Sequence, residues 1–152
     1  MTTTKSILYY ESCYPWFVPL TFFLPCFWKY GVLITKDDEN QEVVTFGYGM
    51  SGPSTKGLCS HTTYLKDIDK SRIITGYASG KDNLCQFGGW GIRHTFWNGI
   101  AYNASFCGPF CEFEERHGKK TTKYHIVTEN PDTVASFLRG EMPIKQGSKK
   151  ID

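Results

Sequence analysis

A chain of 152 residues in which 40% are hydrophobic, 16% aromatic and 21% charged has the composition of one folded domain, which excludes a disordered or low-complexity polypeptide. A formal net charge of +2 lacks the concentrated basic face of a nucleic-acid binder, so no nucleic acid is expected as a partner. Six cysteines are too few for a disulfide scaffold and read as reduced and mostly buried thiols.

Residues 1–29 form an apolar N-terminal segment. In MTTTKSILYYESCYPW, Glu11 interrupts the first apolar run and no small-residue cleavage site follows, so no signal peptide is expected. The stretch 16–28, WFVPLTFFLPCFW, would reach about 20 Å as a helix against a hydrocarbon thickness of about 30 Å, and Pro19 and Pro25 would break that helix. It is expected to pack on the domain or on a partner rather than to span a bilayer. The alternative is an interfacial anchor built from Trp16, Phe17, Phe22, Phe23, Phe27 and Trp28. The expected location is intracellular, with attachment at a membrane periphery under that alternative.

From Tyr30 onward the pattern is one of short strands. GVLIT (31–35), a polar turn and VVTFGY (43–48) predict a first hairpin. TYLKDI (63–68) and RIITGY (72–77) predict two further strands, and WGIRHTF (90–96) begins the next. Asn98-Gly99 is a strong type I′ turn signal, which would pair Trp97 with Ile100 and Thr95 with Tyr102. On that register Arg93, Trp97, Ile100 and Tyr102 share one face, an arginine among aromatics of the kind enriched in partner-binding hot spots. The competing reading makes the same face the core.

A two-residue turn at Gly118-Lys119 sets Glu114 opposite Lys123 and Glu112 opposite His125, with Cys111, Phe113, Tyr124 and Ile126 on the reverse face. After Asn130-Pro131-Asp132 the period changes, and Val134, Phe137 and Leu138 fall on one side of a short helix that Gly140 ends. Residues 141–152 read as a polar tail.

The chemistry-bearing patterns are weak. Gly89-Trp90-Gly91 lacks the third glycine of a dinucleotide fingerprint and leads into a strand where a helix is needed. Cys107 and Cys111 with His117 and His125 have zinc-ligand types, but the hairpin register turns Cys111 and His125 to opposite faces. A cysteine nucleophile paired with His94 or His125 lacks any local signature. No catalytic, cofactor-binding or metal-binding residue is therefore assigned.

The order of these signals, from Tyr30-Gly31-Val32-Leu33-Ile34-Thr35 through Phe46-Gly47-Tyr48 and Gly88-Gly89-Trp90-Gly91-Ile92-Arg93 to the helix after Thr128-Glu129-Asn130-Pro131, resembles the bacterial-type pleckstrin-homology-like (PH-like) domains and their uncharacterised eukaryotic relatives. The resemblance covers about residues 30–140. It implies a mainly β (α+β) fold, a curved antiparallel sheet or partial barrel of about seven strands with one C-terminal helix. True pleckstrin-homology domains bind inositol phosphates at the first strand-to-strand loop, which here is Lys36-Asp37-Asp38-Glu39-Asn40-Gln41-Glu42. Four carboxylates against one lysine repel phosphate, so that ligand is not expected. The expected function is a non-catalytic interaction or scaffold subunit of a larger assembly that contacts other proteins. A peripheral membrane module is the first alternative and a cysteine-dependent enzyme the second.

Overall fold

The structure is a computed structural model that describes residues 6–13, 29–50, 52, 56–81, 91–95, 99–103 and 107–141. The fold is mainly β, and the described residues form nine strands in two sheets and a C-terminal helix. The first sheet has the order β1 (Ser6–Cys13), β2 (Tyr30–Lys36), β3 (Glu42–Tyr48) and β4 (Cys59–Tyr64), all antiparallel. The second contains β5 (Ile74–Ala78), β6 (Gly91–Thr95), β7 (Gly99–Asn103), β8 (Gly108–His117) and β9 (Lys120–Val127), in the order β5-β8-β9-β7-β6. Helix α1 (Pro131–Arg139) follows β9.

Alternate residues of β2 and β3 supply the core between the sheets, although the positions between them are buried as well. Tyr30, Val32 and Ile34 of β2 and Val44, Phe46 and Tyr48 of β3 point inward and meet Tyr102, Cys111, Phe113, Tyr124 and Ile126 of the second sheet. Phe46 is the hub, with ring centroids 5.1 Å from Tyr102, 5.4 Å from Tyr124 and 5.6 Å from Phe113, all edge-on. Helix α1 lays Val134, Ala135, Phe137 and Leu138 on this core. Gly140 ends it in the left-handed region (φ 76°), where its N–H bonds to Phe137 O while Glu141 N–H reaches Ser136 O.

Two hairpins agree with the sequence reading. The β2–β3 register joins Lys36 to Glu42, and the Asp37 carboxylate holds the intervening loop by accepting from the N–H groups of Glu39 (3.0 Å) and Gln41 (2.8 Å). The β8–β9 register joins Glu112 to His125, Glu114 to Lys123 and His117 to Lys120, so the turn is Gly118-Lys119.

Other expectations change. Residues 63–68 are not one strand: β4 ends at Tyr64, and Leu65–Asp67 and Lys70–Arg72 wind as 3₁₀ turns. The reason is spacing, since Leu65 and Ile68 are both buried, and an i, i+3 pair shares a side in a 3₁₀ turn but falls on opposite faces of a strand. These turns carry the chain out of the first sheet. The next strand, β5, pairs with β8, so the described strands form two sheets rather than one continuous curved sheet. Among the described residues no ladder closes them into a barrel, although an isolated bridge joins Ile68 to Glu115.

The Asn98-Gly99 turn is also displaced. Thr95 pairs with Gly99 and Ile92 with Tyr102, which leaves residues 96–98 between the paired ends. Gly99 has φ 79°, and a Cβ there would stand 2.1 Å from the Lys123 carbonyl oxygen. The glycine is needed where β7 runs parallel to β9, a close backbone approach that the hairpin pattern alone does not disclose.

Candidate functional site

The displaced register separates the residues expected to form an aromatic partner-binding face. Arg93 is exposed and lies opposite Ala101, whereas Tyr102 pairs with Ile92 and His94 with Ile100 on the other face. Tyr102 is 7% exposed and belongs to the core, and Ile92 and Ile100 pack against that core. Arg93 and Tyr102 therefore cannot act on one surface. Trp97 lies outside the described residues, as do Trp16, Phe22, Phe23 and Trp28.

Polar chemistry concentrates where the two sheets meet at their margins. On one margin Glu115 of β8 is only 3% exposed, and its Oε2 contacts His61 Nε2 of β4 at 3.0 Å and His117 Nε2 at 2.9 Å. The hydroxyls of Thr63 and Tyr124 also turn toward it. The His61 ring stacks on Tyr124, 4.7 Å between centroids. Burial pushes the Glu115 carboxyl up, but hydrogen bonds from Thr63 and His61 and the charges of its neighbours more than offset this and hold it below its ordinary range.

On the opposite margin Glu11 of β1 faces inward, paired with Val32. Its Oε2 accepts from the Tyr9 hydroxyl at 2.6 Å and from Glu129 N–H at 3.2 Å, and Asn130 Nδ2 donates to the Tyr9 oxygen at 3.3 Å. Beside it is a cleft of about 30 Å3, partly open to solvent, between β1 and residues Val127, Thr128 and Glu129. Burial, reinforced by the charge of Glu129, raises the Glu11 carboxyl despite hydrogen bonds from Thr128 and Tyr9. The sequence disclosed Glu11 only as an interruption of an apolar run. An acidic residue at an inward position of an edge strand was the available signal.

A third carboxylate, Glu112, lies on the outer face of the second sheet and contacts Lys123 Nζ at 2.6 Å and His125 Nδ1 at 3.0 Å. Burial opposes its charge, yet those two partners keep it below its ordinary range. His125 is 1% exposed against the Phe110 ring, 4.6 Å away, while Cys111 points into the core opposite Ile126. That placement keeps Cys111 and His125 apart, as the hairpin register requires. Burial lifts the Cys111 thiol to about 12 and the Cys13 thiol to about 11, so both stay protonated at neutral pH.

Exposed large apolar side chains occur on both sheets, with Ile7, Leu58 and Tyr64 on or beside the first and Ile74 and Tyr77 on the second. Among the described residues β5 borders the second sheet with β8 as its neighbour, and it exposes Ile74 (55%) and Tyr77 (68%). The Tyr77 hydroxyl points at the Sγ of exposed Cys107, 3.8 Å away. This strand offers backbone donors and acceptors beside two large apolar side chains. No family model, curated protein or solved structure matches the chain. No helix among the described residues is long and apolar enough to cross a membrane.

Proposed function

We propose that this chain is a non-catalytic, PH-like interaction module that serves as a subunit or scaffold of a larger protein assembly. The observation that carries the reading is the β5 border, where Ile74 and Tyr77 are more than half exposed on a strand with a single described neighbour. Sheet borders are ordinarily blunted by lysine, proline or a covering element, because unpaired backbone groups invite another strand. A border bearing isoleucine and tyrosine suits strand addition by a partner, with backbone bonds supplying affinity and the two side chains selectivity. The β8–β9 hairpin running directly into α1 supports the PH-like assignment.

Inositol-phosphate binding at the 36–42 loop is disfavoured. The Asp37 carboxylate already occupies the N–H groups of Glu39 and Gln41, so the loop presents negative charge where a phosphate would need donors. The test is gentle purification from the native source with the particle mass measured. The wild-type chain should travel in a complex, and the double variant Ile74→Asp, Tyr77→Ser should leave it with its melting temperature unchanged. A wild-type chain that runs as a lone monomer would overturn the proposal.

One observation favours a second reading, a peripheral membrane module. Cys13 pairs with Tyr30, so both ends of the segment carrying Trp16, Phe22, Phe23 and Trp28 are held at one end of the first sheet. Vesicle flotation that persists in high salt and disappears in the Phe22→Ser, Phe23→Ser variant would establish it.

A further inference from the structure

We infer that Glu11 makes β1 a proton-controlled strand, docked firmly while the carboxyl carries a proton and loosened when the proton leaves. This goes beyond the proposed interaction function and does not depend on it.

The inference starts from how β1 is held. Among the described residues it borders the first sheet, bonded to β2 on one side. Its hold on the rest of the molecule runs through inward side chains at alternate positions: Tyr9 opposite Ile34, Glu11 opposite Val32 and Cys13 opposite Tyr30. Glu11 is the centre of that contact, because its Oε2 receives both the Tyr9 hydroxyl and the Glu129 N–H from the corner between β9 and α1.

The groups that face Glu11 come from every element around it. Strand β1 supplies Tyr9 and Cys13, β2 supplies Tyr30, and the corner after β9 supplies Thr128, Glu129 and Asn130. Helix α1 contributes the Phe137 ring, 6.0 Å from that of Tyr9. Among the described residues none of these is a cation and no salt bridge reaches Glu11, whereas Glu112 and Glu115 each have basic partners. The nearest ionised neighbour, Glu129, is a second carboxylate. A half-buried charge on Glu11 therefore has donors but no counter-ion among the described residues. The neutral acid keeps Oε2 as an acceptor and escapes the charge penalty.

Burial accordingly raises the Glu11 carboxyl above its ordinary range. A group raised in the folded state contributes stability that is complete below its unfolded value and is lost as pH rises through the folded value. Strand β1 should thus be tightest in weak acid and loosest above that window. The change is local, since β1 can leave the border without breaking the β2–β3 or β8–β9 ladders.

The test is amide exchange of the whole chain between about pH 5 and pH 8, with protection corrected for intrinsic exchange. Protection at Tyr9–Ser12 should fall on the order of tenfold across that range while protection at Tyr124–Val127 holds. Glu11→Gln should abolish the fall. Tyr9→Phe keeps the ring contact with Phe137 but removes a bond that favours the carboxylate, so its fall should move to higher pH. Parallel changes in β1 and β9, a fall that survives in Glu11→Gln, or an unmoved midpoint in Tyr9→Phe would each overturn the inference.

Discussion

His61 and Glu115 stand on different sheets, and the 3.0 Å contact between them ties β4 to β8 across one margin of the sandwich. Because Glu115 is depressed in the folded state, its contribution to stability is present above the ordinary carboxylate value of 4.5 and is lost as pH falls through the lower folded value. Replacement by alanine should remove the acceptor shared by His61, His117 and the Tyr124 hydroxyl and cost about 1–3 kcal/mol at neutral pH. Urea unfolding at pH 7 and pH 4 checks this, and the difference between wild type and Glu115→Ala should shrink at the lower pH.

Phe46→Ala should be among the most damaging single changes, at about 3–5 kcal/mol, because it empties the position where three aromatic rings and the His61 ring converge. Phe46→Leu should lose less. Thermal melts monitored by near-UV circular dichroism would report both the loss and the loosened aromatic packing.

Gly99→Ala should destabilise by about 2 kcal/mol or more, from the positive φ and from the 2.1 Å approach of the new Cβ to the Lys123 carbonyl oxygen. Gly118→Ala shares the positive φ but meets nothing within 4 Å, so it should cost less. The difference between the two in chemical denaturation isolates the β7–β9 approach.

Thiol labelling should follow burial. Exposed Cys107 should react in the native protein, whereas Cys111, with its thiol lifted to about 12, should react only as the chain unfolds. Mass spectrometry of alkylated peptides at intervals gives the rates, and rapid native labelling of Cys111 would contradict its placement in the core.

The sequence made the local hairpins legible because their information is local. In β8–β9 the charges at Glu112, Glu114, Lys123 and His125 segregate from Cys111, Phe113, Tyr124 and Ile126, and a slip of one residue would invert all of them. Asn98-Gly99 misled because Gly99, paired with Thr95 in its own hairpin, is also pressed against Lys123, 24 positions away in the chain. Tyr102 followed that error, since a displacement by an odd number of residues exchanges the faces of a strand. Glu11 and Glu115 were invisible as a kind of site. Each gains its meaning from residues more than 50 positions distant, Glu129 in one case and His61 in the other.

The parallel alignment of β7 with β9 also dictates an order of events during synthesis. Residues 99–103 occupy a slot beside a strand that is made only at 120–127, after β8 has already emerged. Until that strand is made the β6–β7 ribbon lacks its β9 neighbour, and only contacts such as that of Tyr102 with Phe46 of β3 are open to it. A ribosome-bound chain stalled short of Val127 should accordingly attract chaperones through this ribbon, and maturation should be slow and late, completed from the C-terminal end.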